Sequence, residues 1–185
     1  MTALVHDLTA NDRDRLLRHF RQLDAADRRL RFGYDIHPDT LRDYVERIDF
    51  NRDAVFGVFD ADFELRAVAH LGLAGATAEL GLSVLPAARR EGLGLALLNR
   101  VVRRARTLRH RVLWTHCLRE NESMMKVARK AGMRIVIDSG EADAYLELPP
   151  ATPLSFGLDL LEAQISLSVW ALHELAGHPD HDEAA

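Results

Sequence analysis

The sequence predicts an α/β domain built on a mixed sheet, and three observations lead to this prediction. Apolar, β-rich runs alternate with amphipathic helical patterns in the second half of the chain, which implies some parallel pairing. Apolar runs in the middle are separated only by short polar turns, which implies antiparallel hairpins. The 185 residues are 48% hydrophobic and 28% charged, an ordinary composition for one domain with an extension.

The first third of the chain predicts one short strand and two helices. Residues 3–8 suit an edge strand, and Thr9 to Asp12 has the spacing of a capping box. A helix follows, and a second is expected to begin near Pro38, because proline suits a first helical turn. Their apolar stripes are Leu16, Leu17, Phe20 and Leu23, then Leu41, Tyr44, Val45 and Ile48. The arginine-rich residues 28–32 between them are assigned to no element.

The remainder of the domain predicts six strands and two helices, which gives the order β-α-α-β-β-β-α-β-α-β-β. The expected strands are 54–59, 65–73, 78–84, 112–118, 134–137 and 142–148. The expected helices are 94–108 and 124–131, and Gly132 closes the second. On the first of them an apolar stripe faces the core, and the arginines are expected to face solvent: Arg100, Arg103, Arg104 and Arg106.

The prolines at 149 and 150 divide the chain into a domain, residues 3–148, and a C-terminal extension, residues 149–185. The extension predicts a helix over 153–176 with apolar residues on two sides. One stripe is Leu158, Leu161, Ile165, Val169 and Leu172, and the other side carries Leu160, Leu167 and Trp170. One contact cannot bury both sides, so we expect a homodimer about a two-fold axis, with Trp170 near the interface and residues 178–185 in solvent. The alternative is a helix that covers its own sheet.

Charge and cysteine content exclude several classes of protein. The net charge is −4, from 24 basic and 28 acidic side chains, so no nucleic-acid partner is expected. No apolar run is long enough to span a membrane, and the first residues lack the apolar core of a signal peptide. The single cysteine, Cys117, excludes an intramolecular disulfide and a cysteine metal cluster, and it favours a reducing, cytoplasmic compartment. It is expected to be a buried thiol rather than a nucleophile.

The histidines predict no metal site. His70, His110 and His116 are scattered and suit core or rim positions. His173, His178 and His181 lie near the C-terminus without a carboxylate–histidine spacing on one helix, and a polar tail explains them better.

The most informative segment, residues 84–98, runs from a strand through a glycine-containing loop into a helix. Such a junction directs several free backbone N–H groups at one point, where the helix dipole favours an anion. It is neither a Walker A loop, which ends in G-K-[ST], nor a complete G-x-G-x-x-G dinucleotide fingerprint. The pattern alone leaves open a phosphate site and a loop with two turn glycines.

Two motifs in this chain resemble those of the GCN5-related N-acetyltransferases (GNAT). Arg89-x-x-Gly92-x-Gly94, preceded by Val84-x-Pro86, is similar to the R/Q-x-x-G-x-G/A signature of that family. Downstream, Asn121-x-x-Met124 and the run from Ala128 to Met133 resemble its second signature, with Met133 in place of phenylalanine. The order of the motifs and elements over residues 3–148 also resembles the family. The resemblance implies a GNAT fold, in which a mostly antiparallel mixed sheet has splayed central strands.

The resemblance also implies a co-substrate and where it binds. Acetyl-CoA lies between the strands that end near Val84 and Leu118, and an amine attacks its thioester directly. Main-chain groups of Leu82, Ser83 and Val84 hold the pantetheine arm. The loop amides hold the pyrophosphate, so the implied cofactor-binding residues continue with Arg89, Arg90, Glu91, Gly92, Leu93, Gly94, Leu95 and Asn121.

Glu79 is the catalytic residue that the resemblance implies. Ala78-Glu79-Leu80 resembles the strand of histone-type members in which a glutamate takes the ammonium proton, usually through water. Alternation places Glu79 on one strand face with Gly81 and Ser83, which leave space beside the carboxylate in a half-buried cleft. The alternative interpretation is a structural glutamate paired with a nearby arginine.

Two features depart from the family pattern. The tyrosine that often serves as general acid aligns with Ala128, so Ser123, Tyr145 or water are the candidate substitutes. Glu91 places an acidic residue beside the expected phosphate site, which weakens affinity unless the side chain points outward.

Residues 23–32 have a looser resemblance to the GNAT domain of bacterial protein-lysine acetyltransferases. The resulting hypothesis is an acetyl-CoA-dependent N-acetyltransferase that acts on a primary amine, either a protein lysine or a small molecule. Two alternatives stay open: a catalytically silent acyl-CoA sensor, and an interaction module that acts through the C-terminal helix.

Overall fold

A computed structural model describes residues 3–74 and 77–176, with the side chains of Ala74, Ser155 and residues 170–176 left out of the description. Its helices and strands occur in the following order: β1 (His6–Leu8), α1 (Arg13–Gln22), α2 (Ala25–Phe32), α3 (Pro38–Arg47), β2 (Ala54–Phe59), β3 (Leu65–Ala74), β4 (Thr77–Val84), α4 (Leu93–Thr107), β5 (Val112–Leu118), α5 (Glu122–Lys130), β6 (Arg134–Asp138), β7 (Glu141–Glu147) and α6 (Pro153–Ala176). Short 3₁₀ turns precede α1 and α4.

The predicted α/β class and mixed sheet are confirmed, and one helix was missed. α2 occupies the stretch that the sequence left unassigned. Asp24 caps it by accepting a hydrogen bond from the Asp27 N–H at 2.7 Å, and Gly33 ends it in the left-handed conformation. No residue of α2 is fully buried. An apolar stripe is therefore weak, and periodicity alone could not reveal the helix.

Seven strands form one sheet in the order β1-β2-β3-β4-β5-β7-β6, and every pair is antiparallel except β4 with β5. The parallel pair is short, since only Thr77–Glu79 faces Val112–Trp114. Immediately beyond it the hydroxyl of Thr115 donates to the Leu80 carbonyl at 2.8 Å. From there β4 and β5 continue as separate strands, which opens a fork in the middle of the sheet.

Helices cover the two faces of the sheet with separate apolar cores. α4 and α5 pack on one face, where Leu80, Leu97 and Leu113 are buried. α1 and α3 pack on the other, where Phe20, Leu41 and Val68 are buried. The alternation predicted for β4 is confirmed, because Leu80, Leu82 and Val84 all belong to the α4 side. The opposite face of β4 is therefore available to groups from α1, α2 and α3.

The prediction that Arg100 faces solvent is wrong. Its side chain is fully buried and pairs with both Asp7 and Asp159, the first at 2.9 Å. Arg103 and Arg104 also pair with acidic residues, at 2.6 Å to Glu162 and 2.9 Å to Asp7. The pattern on α4 could not reveal this arrangement, because the covering carboxylates come from β1 and α6 at distant points of the chain.

α6 lies against α4 and β1 with its polar side inward. Asp159 and Ser166 are buried, and the Ser166 hydroxyl accepts the Asp7 N–H at 3.1 Å along the outer edge of β1. The apolar stripe expected to cover the domain instead faces outward, with Leu158, Leu161 and Ile165 exposed. The helix thus returns to its own domain, as the alternative to the dimer required, but Leu158, Leu161 and Ile165 of one apolar side and Leu160 and Leu167 of the other stay exposed. The side chain of Trp170 and residues 178–185, which the dimer hypothesis also placed, lie outside the described residues.

Removal of the buried guanidinium should strongly destabilise the protein. We expect Arg100→Met to lower the free energy of unfolding by about 3–5 kcal/mol, because the buried Asp159 would lose its closest counter-charge and keep only Arg104, at 3.4 Å. Arg103→Met is the matched control: its pair with Glu162 is partly exposed, so a loss of about 0–1 kcal/mol is expected. Urea denaturation measures both values, and equal losses would contradict this account of Arg100.

Candidate active site

The fork between β4 and β5 opens into a cleft of about 290 Å³. Its walls come from α2, the α2–α3 loop, α3, β3, β4, β5 and the start of α5. Polar groups at its surface are concentrated on the side away from α4. The lining includes the side chains of Arg31, Tyr44, His70, Glu79, Cys117 and Asn121.

The loop before α4 has the geometry of an anion site. Gly92 caps the helix with a φ of 84°, and the first intrahelical bond runs from the Ala96 N–H to the Gly92 carbonyl. The N–H groups of residues 92–95 therefore lack partners within the helix, at its positive end. Gly94 is constrained by packing, since a Cβ there would lie 3.3 Å from Val127 of α5. The two glycines thus serve different purposes: one allows the turn, and the other lets α4 approach α5.

The charged residues of this loop are turned away from the helix end. The carboxylate of Glu91 pairs with Arg66 at 2.5 Å, so it points outward, as affinity for a phosphate would require. The guanidinium of Arg89 pairs with Asp27 of α2, also at 2.5 Å. Arg89 therefore connects the loop to the helix that covers the cleft.

Glu79 lies where the parallel ladder ends, opposite Gly72 of β3 and Trp114 of β5. It is exposed, so the expectation of a half-buried carboxylate is wrong in that respect. The reason is that α2 covers the strand only from Gly81 onward: the Arg31 guanidinium fills the space where a Gly81 side chain would be. Within residues 3–74 and 77–176, no arginine or lysine forms an ion pair with Glu79. The structural-pair alternative therefore has no support there.

Ser83 and Cys117 both have buried side chains. The Ser83 hydroxyl bonds to His19 at 2.8 Å, and burial lowers the pKa of His19 to about 4, so that imidazole is neutral. Burial, and secondarily Asp143, raises the pKa of the Cys117 thiol. The expectation that Cys117 is a buried thiol is therefore confirmed. Ser83 can offer a ligand only its main chain.

Asn121 joins two walls of the cleft. Its side-chain oxygen accepts the Met124 N–H at 3.0 Å and so caps α5, while its amide nitrogen donates to the Leu30 carbonyl of α2 at 3.2 Å. The resemblance to the family's second signature singled out Asn121 but did not predict this capping bond. The bond to Leu30 depends on α2, which the sequence did not reveal.

The position of the usual acid contains no tyrosine and has no room for one. Ala128 is buried in the core on the α4 side. Neither Ser123 nor Tyr145, the suggested substitutes, lines the cleft, and the Tyr145 hydroxyl donates to Asp143 at 3.3 Å. Tyr44 of α3 does line the cleft, although the sequence indicated only an apolar stripe position for it.

A chain of hydrogen bonds runs from the cleft into the domain through Tyr44. Its hydroxyl bonds to Nδ1 of His70 at 2.9 Å, and Nε2 of His70 bonds to Asp53 at 3.2 Å. Burial, followed by the Arg31 charge, lowers the pKa of His70 against the opposing effect of Asp53. Burial would raise the pKa of Asp53, but hydrogen bonds from Arg52, the Leu73 N–H and His70 lower it overall. His70 is thus neutral beside a carboxylate.

Metal ligands do not cluster in the part of the chain that the structure describes. No group of three histidine, cysteine or acidic side chains there is arranged to hold an ion. His116 pairs with Asp143 at 2.8 Å on the rim of the cleft. His178 and His181 lie outside the described residues, and so does the side chain of His173. The described helices also include none that is long and apolar enough to cross a membrane.

A family model described as an acetyltransferase (GNAT) domain matches residues 4–134. The chain belongs to the GNAT acetyltransferase family. The predicted family, fold and enzyme class are therefore confirmed, and so is acetyl-CoA as the co-substrate of this acetyltransferase. Among curated proteins, none matches the chain.

Solved GNAT structures resemble this acetyltransferase at low sequence identity. The GNAT domain of PAT from S. lividans has 21% identity and a TM-score of 0.68, over 78% of this chain and 89% of that one. A phosphinothricin acetyltransferase from Sinorhizobium meliloti, in complex with AcCoA, has 18% identity and a TM-score of 0.65, over 83% and 95%. The putative acetyltransferase yncA from Salmonella typhimurium, with its cofactor acetyl-CoA, has 16% identity and a TM-score of 0.63, over 82% and 97%.

Proposed function

We propose that the protein transfers the acetyl group of acetyl-CoA to a primary amine by direct attack, with Glu79 as the base that takes the ammonium proton. The observation that carries this proposal is the position of Glu79 at the apex of the fork. α4 and its anion site lie on one face of the sheet, and Glu79 projects from the other. Acetyl-CoA would therefore extend from the α4 face of the sheet, where its nucleotide lies, into the fork. The amine would approach the thioester from the opposite face.

Main-chain groups carry most of the proposed cofactor site. β4 leaves its ladder with β5 after Glu79, so the edges of Leu82, Ser83 and Val84 are available to the pantetheine amides. The N–H groups from Arg90 to Leu95 take the pyrophosphate at the start of α4. Arg89 and Asn121 support this site by connecting the loop and α5 to α2.

Proton removal is the chemical task that Glu79 performs. A protonated amine cannot attack a carbonyl carbon, so a nearby carboxylate, directly or through one water, must accept its proton first. The exposure of Glu79 suits this role, since a carboxylate in contact with solvent can pass the accepted proton to water. The cleft holds the amine near the thioester, which supplies the remaining advantage through proximity.

A catalytically silent acyl-CoA sensor is the competing function. The structure weakens one of the two observations that suggested it. Glu91 pairs with Arg66 rather than facing the helix end, so it does not oppose a pyrophosphate. The other observation is the absence of a tyrosine at the position of Ala128. Tyr44, however, supplies a different hydroxyl group to the cleft. The single cysteine, Cys117, favours a reducing compartment, and we place the enzyme in the cytoplasm on that basis.

A screen for free coenzyme A thiol tests the proposal. The purified protein is incubated with acetyl-CoA and a panel of small primary amines, amino acids and lysine-containing peptides. Turnover that depends on one class of amine, with the acetylated product seen by mass spectrometry, is the expected result. Tight acetyl-CoA binding by calorimetry without turnover on any amine would favour the sensor.

A further inference from the structure

We infer that the Asp53–His70–Tyr44 chain is a second proton-accepting group of the active site, separate from Glu79. This inference rests on the proposed N-acetyltransferase function. The chain is a continuous path of hydrogen bonds from the cleft into the domain, and neither the family motifs nor the role of Glu79 uses it. Its inner end, Asp53, is buried, while its outer end, the Tyr44 hydroxyl, lies in the cleft.

The geometry fixes the direction of each proton in the chain. Asp53 accepts hydrogen bonds from Arg52 at 2.8 Å and the Leu73 N–H at 3.1 Å, so it is an ionised acceptor. His70 is neutral and donates its Nε2–H to Asp53, which leaves Nδ1 as an acceptor for the Tyr44 O–H. The Tyr44 oxygen also accepts a hydrogen bond from Arg31 at 3.0 Å. One lone pair of that oxygen remains for a ligand in the cleft.

The charged groups around His70 come from every element packed on it. Asp53 and Arg52 precede β2, Arg31 belongs to α2, and Glu79 lies on the adjacent strand, two residues from Gly81, which faces His70. Arg31 and Arg52 oppose a positive charge on His70, while Asp53 favours one. His70 is therefore neutral at rest and has a carboxylate in contact to stabilise a transient imidazolium.

The reaction needs two proton acceptors, because a primary ammonium loses two protons on becoming an amide. Glu79 takes the first and leaves a neutral amine. The second leaves as the C–N bond forms: the N–H bond breaks, Tyr44 oxygen takes that proton, and the Tyr44 O–H proton passes to Nδ1 of His70. The C–S electron pair leaves with the coenzyme A sulfur, which takes a proton from solvent. His70 returns its proton to solvent through Tyr44 when the products leave.

The pH dependence of three variants separates the two acceptors. Tyr44→Phe removes the hydroxyl and keeps the ring, and His70→Asn keeps a hydrogen-bond acceptor near the Nδ1 position but cannot bind a proton. Both should lower kcat by roughly 10²-fold. This loss should persist at pH values above the pKa of the amine. The loss in Glu79→Gln should shrink there, because the amine is already neutral.

The controls exclude a purely structural effect. Tyr145→Phe removes a hydroxyl that also donates to a carboxylate but lies outside the cleft lining, so it should keep the wild-type rate. Unchanged acetyl-CoA affinity and melting temperature in Tyr44→Phe would show that the fold is intact. Wild-type rates in both Tyr44→Phe and His70→Asn would overturn the inference, and so would losses that vanish at high pH. Turnover on no amine by the wild type would instead refute the proposed function, and this inference with it.

A second, independent observation concerns α6, and from it we propose that the outward face of this helix binds a second copy of the chain. Its exposed apolar side chains range from 42% exposure at Ile165 to 74% at Leu154. The charged residues of its described part, Asp159 and Glu162, both pair with arginines of α4. An uncharged apolar face therefore runs along the helix on the side away from its own domain. Its exposed members are Leu154, Leu158, Leu161 and Ile165, while Leu160 and Leu167 are exposed on another side of the helix.

The spacing of these residues indicates that the partner is a helix with the same spacing of apolar residues. Leu154, Leu158, Leu161 and Ile165 follow one another at intervals of four, three and four, the spacing of a coiled-coil seam. Such a seam packs into a matching seam, and every copy of the chain supplies one. A two-fold axis brings the two together in a closed dimer. α6 contains neither lysine nor arginine, on which helices bound to anionic membrane surfaces depend, so its composition disfavours a lipid surface.

Sedimentation of the full chain at micromolar concentration tests this proposal. The wild type should be a dimer, and Leu161→Glu, which puts a charge in the seam, should be a monomer. Ile137→Glu is the control, because Ile137 is an exposed apolar residue of β6 far from the seam in the chain, and it should stay a dimer. A monomeric wild type, or a dimer that survives Leu161→Glu, would overturn the proposal. A wild type that is monomeric and floats with phosphatidylglycerol vesicles would assign the face to lipid instead.

Discussion

Replacement of Glu79 by glutamine should lower kcat by roughly 10²–10⁴-fold near neutral pH and leave the affinity for acetyl-CoA unchanged. Glutamine has the size of glutamate and can still hydrogen-bond, but it cannot accept a proton from the ammonium. The side chain lies at the apex of the fork without an ion-pair partner among the described residues, so the fold should not depend on its charge.

The pH profile is the decisive measurement for Glu79. As the pH rises, a growing fraction of the amine is neutral before it binds, and the deficit of the variant should shrink. Glu147→Gln, which changes another exposed strand glutamate outside the cleft lining, should keep the wild-type profile. A Glu79→Gln enzyme with the wild-type rate across this range would remove Glu79 from the mechanism.

Replacement of Gly92 by aspartate should abolish measurable acetyl-CoA binding. The new carboxylate would stand at the helix end where we propose that the pyrophosphate binds. Two unit charges about 4 Å apart repel by about 4 kcal/mol near a protein surface, which corresponds to roughly a thousandfold in affinity. The substitution meets no steric obstacle, since no atom lies within 4 Å of a Cβ at Gly92. Charge and backbone conformation therefore account for the expected loss.

Two further substitutions separate these contributions. Gly92→Asn is uncharged, and asparagine tolerates the left-handed φ of 84°, so it should retain most of the affinity. Gly92→Ala adds only the conformational strain, about 1–2 kcal/mol. Gly140→Asp places a charge at another left-handed glycine, in the turn between β6 and β7 and outside the cleft lining, and should bind acetyl-CoA normally. Isothermal titration calorimetry measures all four proteins, and unchanged affinity in Gly92→Asp would disprove the assigned pyrophosphate site.

Local patterns in the sequence predicted the elements that build the cofactor side of the site. The alternation in β4 and the glycine loop before α4 each depend on residues adjacent in the chain. They could be read because strand faces and helix starts follow from spacing alone. α2 was not predicted, because a helix with no fully buried residue has little periodicity in its apolar residues.

The side of the cleft where we propose that the amine binds is formed by residues far apart in the chain. Tyr44 had the spacing of a core residue, His70 looked isolated, and Asp53 had no distinguishing pattern. Only the pairing of β2 with β3 and the packing of α3 on the same face bring the three into hydrogen-bonding contact. No local pattern carries that information.

The sequence by itself determined the family, the order of the strands and most helices, and the glycine loop that begins α4, because these depend on short-range spacing and motifs. Tertiary structure alone decided which side of α6 faces the domain and which arginine of α4 is buried. Arg100 and Asp159 are 59 residues apart and each looks like a surface charge on its own helix. Their burial is stable only as a pair, since an isolated buried charge is costly, so neither could be assigned until the two helices were placed together.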